Sequence, residues 1–107
     1  MARLTAQRGE IWLIDLGMVQ KIRPVLILST PYQDNERALV SFVIRTTSLR
    51  GTEYEVAHVA PRFDPGAFDA QSIATVPDVQ LMRRLTVCDA ETLSRVEHAL
   101  KSWLALL

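Results

Sequence analysis

From Glu10 to Cys88 the chain is a succession of short apolar runs, each cut off by glycine, proline or a polar turn. That punctuation predicts strands joined by turns. The runs are Glu10 to Leu16 between Gly9 and Gly17, Val25 to Ser29, Ala38 to Ile44, Glu53 to Val59, Gln71 to Val76 ended by Pro77, and Leu85 to Cys88. Met18 to Arg23 reads as a loop closed by Pro24, which holds Arg23 extended. Thr30 to Arg37 is a polar turn, Thr46 to Gly51 a hydroxyl-rich loop, and Pro61 to Gly66 strong loop chemistry. The period changes only at the end. Asp89 suits a helix N-cap and Glu91 its first turn. Leu93, Val96, Leu100, Trp103, Leu104 and Leu107 then recur at spacings of three and four, one apolar stripe of a helix. The expected fold is mainly β with a terminal helix (α+β): a small curled antiparallel sheet, half barrel, with the helix packed on it. No repeat or linker divides the sequence, so residues 1–107 read as a single domain.

A chain that is 49% hydrophobic and 22% charged is not disordered in the main. Twelve basic and twelve acidic side chains cancel, which excludes a polybasic or acidic tail. The charge is unevenly spread: residues 1–50 carry +3 and the remainder −3, so a basic face is available to nucleic acid. The lone Cys88 excludes an intrachain disulfide, and with only His58 and His98 beside it a Cys/His zinc site has no support. The longest apolar run, Trp103 to Leu107, falls far short of the roughly 20 residues that cross a bilayer. The N-terminus lacks the apolar stretch of a signal peptide. No membrane association and a cytosolic location are expected.

Glycine occurs only at positions 9, 17, 51 and 66, so no phosphate loop, dinucleotide fingerprint or nucleophile elbow can be written. No cofactor or metal is called for. A polar cluster in two loops remains: Gln20, Lys21 and Arg23, and Arg45, Thr46, Thr47, Ser48 and Arg50. If the second and third strands are antiparallel neighbours, Arg23 and Thr46 meet at one sheet edge. A guanidinium that forks onto two oxygens and a hydroxyl that donates one bond make a phosphate site. Solvated loop residues fit the same pattern. His58 shares a strand face with Tyr54 and Val56 and reads as a half-buried, satisfied histidine. Its ordinary pKa near 6.5 would suit a general base, but nothing in the sequence brings it to Arg23. Cys88 reads as a small hydrophobe, Trp103 as a packing residue, and Trp12 as core or dimer interface.

Four segments resemble the MazF/PemK family of toxin endoribonucleases. They are Arg8-Gly9-Glu10-Ile11-Trp12-Leu13-Ile14-Asp15-Leu16; Arg23-Pro24-Val25-Leu26-Ile27-Leu28-Ser29; Val43-Ile44-Arg45-Thr46-Thr47-Ser48 with Tyr54-Glu55-Val56; and Gln71-Ser72-Ile73 with Arg84-Leu85 and the terminal helix. The resemblance implies an SH3-like barrel, a homodimer, and a toxin held by a cognate antitoxin whose acidic segment folds over it. It implies metal-independent, sequence-specific cleavage of single-stranded RNA by 2′-hydroxyl attack, giving 2′,3′-cyclic phosphate and 5′-hydroxyl ends. The family's catalytic arginine falls on Arg23, its catalytic threonine on Thr46, and a groove glutamine on Gln71. Gln20, Lys21, Arg45, Thr47, Ser48 and Arg50 then become RNA contacts.

The chain departs from the family pattern in two places. The Gly17 to Arg23 loop is short and lacks the usual Glu-Gln stretch, and Ala70 stands where an acidic residue is frequent, with Asp69 one position earlier. No general base is thereby assigned. The departures motivate one alternative, a catalytically weakened member that binds RNA or antitoxin. A CcdB-like gyrase poison, which uses a tryptophan near its C-terminus, is the other; here the helical stripe claims Trp103 for packing.

Overall fold

The computed structural model describes residues 5–17 and 21–106. Within them lie β1 (Glu10–Asp15), β2 (Ile22–Ile27), β3 (Leu39–Thr46), β4 (Glu55–His58), β5 (Gly66–Pro77), a short 3-10 turn (Asp78–Gln80), β6 (Leu81–Val87) and α1 (Ala90–Trp103). All pairings are antiparallel, in the order β4-β5-β3-β2-β1-β6. The chain thus forms the expected curled antiparallel sheet with a terminal helix.

The central strands read as unbroken apolar runs because both of their faces are buried. Ile11, Leu26 and Val43 face Phe68, Val56 and the helix residues Val96 and Leu100. Their strand neighbours Trp12, Val25 and Phe42 face the other way, with Ile14 and Ile27. Helix α1 covers the first layer. The second is enclosed by the sheet's own curl, through Ala74 and Val76 of β5 and Leu81 of β6.

Three strands begin three or more residues before the expected position. β2 begins at Ile22 rather than Val25, because it continues on β1 after its ladder with β3 has ended at Val25–Ile44. β5 begins at Gly66 rather than Gln71. Ala67, Phe68 and Asp69 have poor strand character as a group, but β3 and β4 pair with them from both sides. β6 begins at Leu81 rather than Leu85, recruited by β1.

The register of β3 on β5 jumps between Phe42 and Ile44, from Ala74 to Asp69. Ser72 closes the gap. Its Oγ accepts the Ile44 N–H at 2.7 Å and donates to the Asp69 carbonyl at 2.6 Å. A side chain therefore replaces a ladder rung, and Asp69 is brought beside the end of β3.

The helix starts where its cap predicts. Asp89 Oδ2 accepts from the Thr92 N–H at 2.9 Å and the Thr92 hydroxyl at 2.8 Å. Arg8 ties the helix to the sheet, pairing with Glu97 and donating to the Leu28 carbonyl. The apolar stripe is buried at Val96, Ala99 and Leu100, but not at its end. Trp103 is 42% exposed and touches Tyr54 edge-on at 5.2 Å, and Leu104, the C-cap, is exposed; Leu107 lies outside the described residues. Among the described residues no helix is long and apolar enough to cross a membrane. Replacing Asp89 by alanine removes the cap and is expected to cost about 1 kcal/mol of stability, read from the urea midpoint.

Candidate active site

The β2–β3 register sets Val25 opposite Ile44 and Leu26 opposite Val43. Continued outward by two residues, the same register sets Arg23 opposite Thr46. Pro24 lies between and has no N–H, so no backbone rung of its own fills the space. Arg23 and Thr46 line one groove of about 400 Å³ at this edge of the sheet. Ser48 and Arg50 line it from the loop after β3, Glu55 from β4, and Asp69 and Ser72 from β5.

Thr46 Oγ1 accepts the Ser48 N–H at 3.0 Å. That bond takes one of its two lone pairs, and its hydroxyl proton, with no acceptor among the described residues, can donate to an occupant of the groove. The two carboxylates face each other across the β4–β5 ladder but do different things. Glu55 accepts from the Arg50 N–H at 3.1 and 3.0 Å and from the Gly51 N–H at 2.8 Å. These backbone donors, Arg50 foremost, outweigh burial and hold Glu55 below the usual carboxylate range. Glu55 therefore anchors the loop as a carboxylate. Asp69 Oδ1 accepts the Gln71 N–H at 3.0 Å, while Oδ2 meets no donor among the described residues.

Of the other sequence candidates, Lys21, Thr47 and Gln71 are exposed but do not line the groove. Gln20 lies outside the described residues. Arg45 is a correction. It precedes Thr46 on the same strand, so its side chain leaves by the opposite face, and it is 5% exposed. Its Nε donates to His58 Nδ1 at 2.8 Å, and its Nη2 donates to the carbonyls of His58 at 2.8 Å and Asp64 at 2.7 Å. A guanidinium consumed inside the protein is not an RNA contact. Glu55, Asp69 and Ser72 were missed as site residues. Asp69 follows Phe68 in a stretch with no strand signal, and only the β4–β5 pairing and the β5 bulge bring it to the groove.

The sequence profile of the PemK-like, MazF-like toxins of type II toxin–antitoxin systems matches residues 7–104. The chain belongs to this toxin family. No curated protein sequence gave a match. An endoribonuclease from a mycobacterial species, solved with its cognate antitoxin, aligns with the toxin at a TM-score of 0.81 and 27% identity, over 95% of this chain and 97% of that one. A second mycobacterial endoribonuclease aligns at 0.77 and 26% identity, over 94% and 91%. MazF from Deinococcus radiodurans shares the fold at a TM-score of 0.82 and 21% identity, over 96% and 99%.

Behind the groove the toxin has a second polar cluster. His58 is 3% exposed and packs against the rings of Phe68 at 4.7 Å and Phe63 at 5.5 Å. Potential ligand atoms of His58, Cys88 and Asp89 lie within 4.8 Å of one another. Two of the three are engaged in hydrogen bonds within the protein. His58 Nδ1 accepts from a permanently charged guanidinium, so the ring is neutral with its proton on Nε2 and has no lone pair left there. Asp89 caps the helix. Burial pushes the Cys88 thiol up to about 11, with Asp89 adding to the effect, so it stays protonated. His58 and Asp89 thus serve the strand end and the helix cap.

Gly66 is what lets β5 approach the end of β3. A Cβ there would lie 2.5 Å from the Thr46 carbonyl oxygen and 2.8 Å from Arg45 Nη1. Gly66→Ala is expected to lower stability by about 1–3 kcal/mol in urea titration, since backbone and a buried guanidinium would both have to move.

Proposed function

We propose that this toxin is a metal-independent endoribonuclease that cuts single-stranded RNA by 2′-hydroxyl attack on the adjacent phosphate. The products are a 2′,3′-cyclic phosphate and a 5′-hydroxyl. The observation that carries the reading is the single groove shared by a guanidinium, a hydroxyl and a carboxylate with one oxygen unengaged among the described residues.

Each residue then has a step. Asp69 Oδ2 takes the proton from the attacking 2′-hydroxyl. The pentacoordinate phosphorane gains negative charge, which Arg23 neutralises and the Thr46 hydroxyl stabilises by a hydrogen bond to a non-bridging oxygen. Arg23 also gives the proton that the departing 5′-oxygen requires. Arg50 and Ser48 hold a flanking phosphate, and Lys21, Thr47 and Gln71, exposed beside groove residues in the chain, contact the RNA on either side. Arg45 has no RNA contact in this scheme.

The toxin acts in the cytoplasm as a homodimer and is held by a cognate antitoxin. β6 supports the dimer, being paired on one side only and carrying exposed Met82 and Val87. An acidic antitoxin segment that folds on binding complements the arginines of the groove. That the mycobacterial endoribonuclease of this fold was solved with its cognate antitoxin supports an antitoxin partner.

Purified protein is expected to cleave single-stranded RNA in EDTA. Arg23→Ala should lower the rate about 100- to 1,000-fold, the range of a lost transition-state donor. Asp69→Asn, which keeps the acceptor for the Gln71 N–H, should lower it to a similar extent. An Arg23→Ala variant that cuts as fast as the parent overturns the reading, and RNA binding without cleavage by the parent itself would mark a weakened family member.

A further inference from the structure

Thr46 ends a strand that is poorly held on one side. The β2–β3 ladder stops at Val25–Ile44, so Arg45 and Thr46 are paired only with β5, through Phe68 and Ala67. Their second restraint is the side chain of Arg45. It runs under the sheet, donates to His58 and to the Asp64 carbonyl, and lies 4.9 Å from the Phe63 ring centre. Three hydrogen bonds join the end of β3 to the end of β4 and to the loop before β5.

We propose that Arg45 is a positioning residue for RNA cleavage: buried and out of reach of substrate, it fixes the place of the Thr46 hydroxyl through its bonds to His58 and Asp64. The inference rests on the role given above to Thr46. Arg45 and Thr46 share a peptide unit, so a shift of the guanidinium rotates the strand end that carries the hydroxyl. Displacement of a catalytic donor by about 1 Å can cost on the order of 100-fold in rate.

The clamp depends on a neutral His58. A proton on Nδ1 would oppose two donors and place two cations together in a buried site. The groups around His58 are Arg45 from β3, Asp64 from the loop, and Cys88 and Asp89 from the β6–α1 junction, with Arg62 and Arg83 lining the hollow it faces. Burial first, then the charge of Arg45, lower the His58 pKa below 6.5, and Asp89 opposes them. The unfolded chain therefore takes up this proton at higher pH than the folded chain. Stability linked to His58 is complete above 6.5 and declines as the pH falls below it.

The test combines amide NMR of the full-length protein with single-turnover cleavage. In the parent, the Thr46 and Ser48 resonances should shift with the same pH midpoint as the His58 ring. In His58→Asn that transition should vanish while cleavage at neutral pH persists, because the asparagine oxygen can stand in for Nδ1 as acceptor. Arg45→Lys should slow cleavage at saturating RNA about 10- to 100-fold, with unchanged affinity for an RNA carrying a 2′-deoxy sugar at the attacking position. A Thr46 resonance indifferent to His58, or Arg45→Lys cleaving at the parental rate, overturns the proposal. If Arg23→Ala run alongside also cleaves at the parental rate, the assignment of the groove is what fails, and the Thr46 titration still decides the positioning. Should Arg45→Lys not fold, the parent titration and His58→Asn decide it alone.

Discussion

The antiparallel pairing of β2 with β3 is the constraint on which the candidate site depends. Its register brings together two residues separated by more than twenty positions in the chain, and Pro24 ends the backbone ladder before they are reached. Arg23 and Thr46 consequently face each other across a gap with side chains rather than across a rung with peptide groups. The bulge sealed by Ser72 performs a similar office on the other side, carrying Asp69 to the same edge.

Charge in this small protein is sorted by how each group is satisfied. Glu55 and Asp69 are cross-strand neighbours, yet Glu55 spends both oxygens on the loop backbone while Asp69 Oδ2 has no donor among the described residues. Arg45 and Thr46 are chain neighbours with opposite fates, one buried and bonded inward and the other lining the groove. Burial of the guanidinium is tolerable because its bonds go to a ring nitrogen and two carbonyls and the nearby charge of Asp64 favours the cation.

Most strands and the helix could be read from punctuation and period, and Asp89 marks the helix start to the residue. The beginnings of β5 and β6 could not. Ala67 to Asp69 and Leu81 to Arg84 have no strand pattern of their own and are extended because neighbours offer them backbone partners. The misreading of Arg45 has a related cause. A loop-like cluster of arginine and hydroxyls looks uniformly solvated in one dimension, but position 45 still belongs to β3, where alternate residues point inward.

What the sequence determined by itself is local: where strands break, where the helix is capped, and which residue types are present to handle a phosphate. Family membership adds their order. The tertiary structure alone decided which of those residues share a groove, which carboxylate stays available, and that Arg45 turns away from the surface toward His58. The reason is physical. Turn and cap preferences act over a few neighbouring residues, whereas strand register is settled by burying two apolar layers at once, and it is register that chooses each side chain's company.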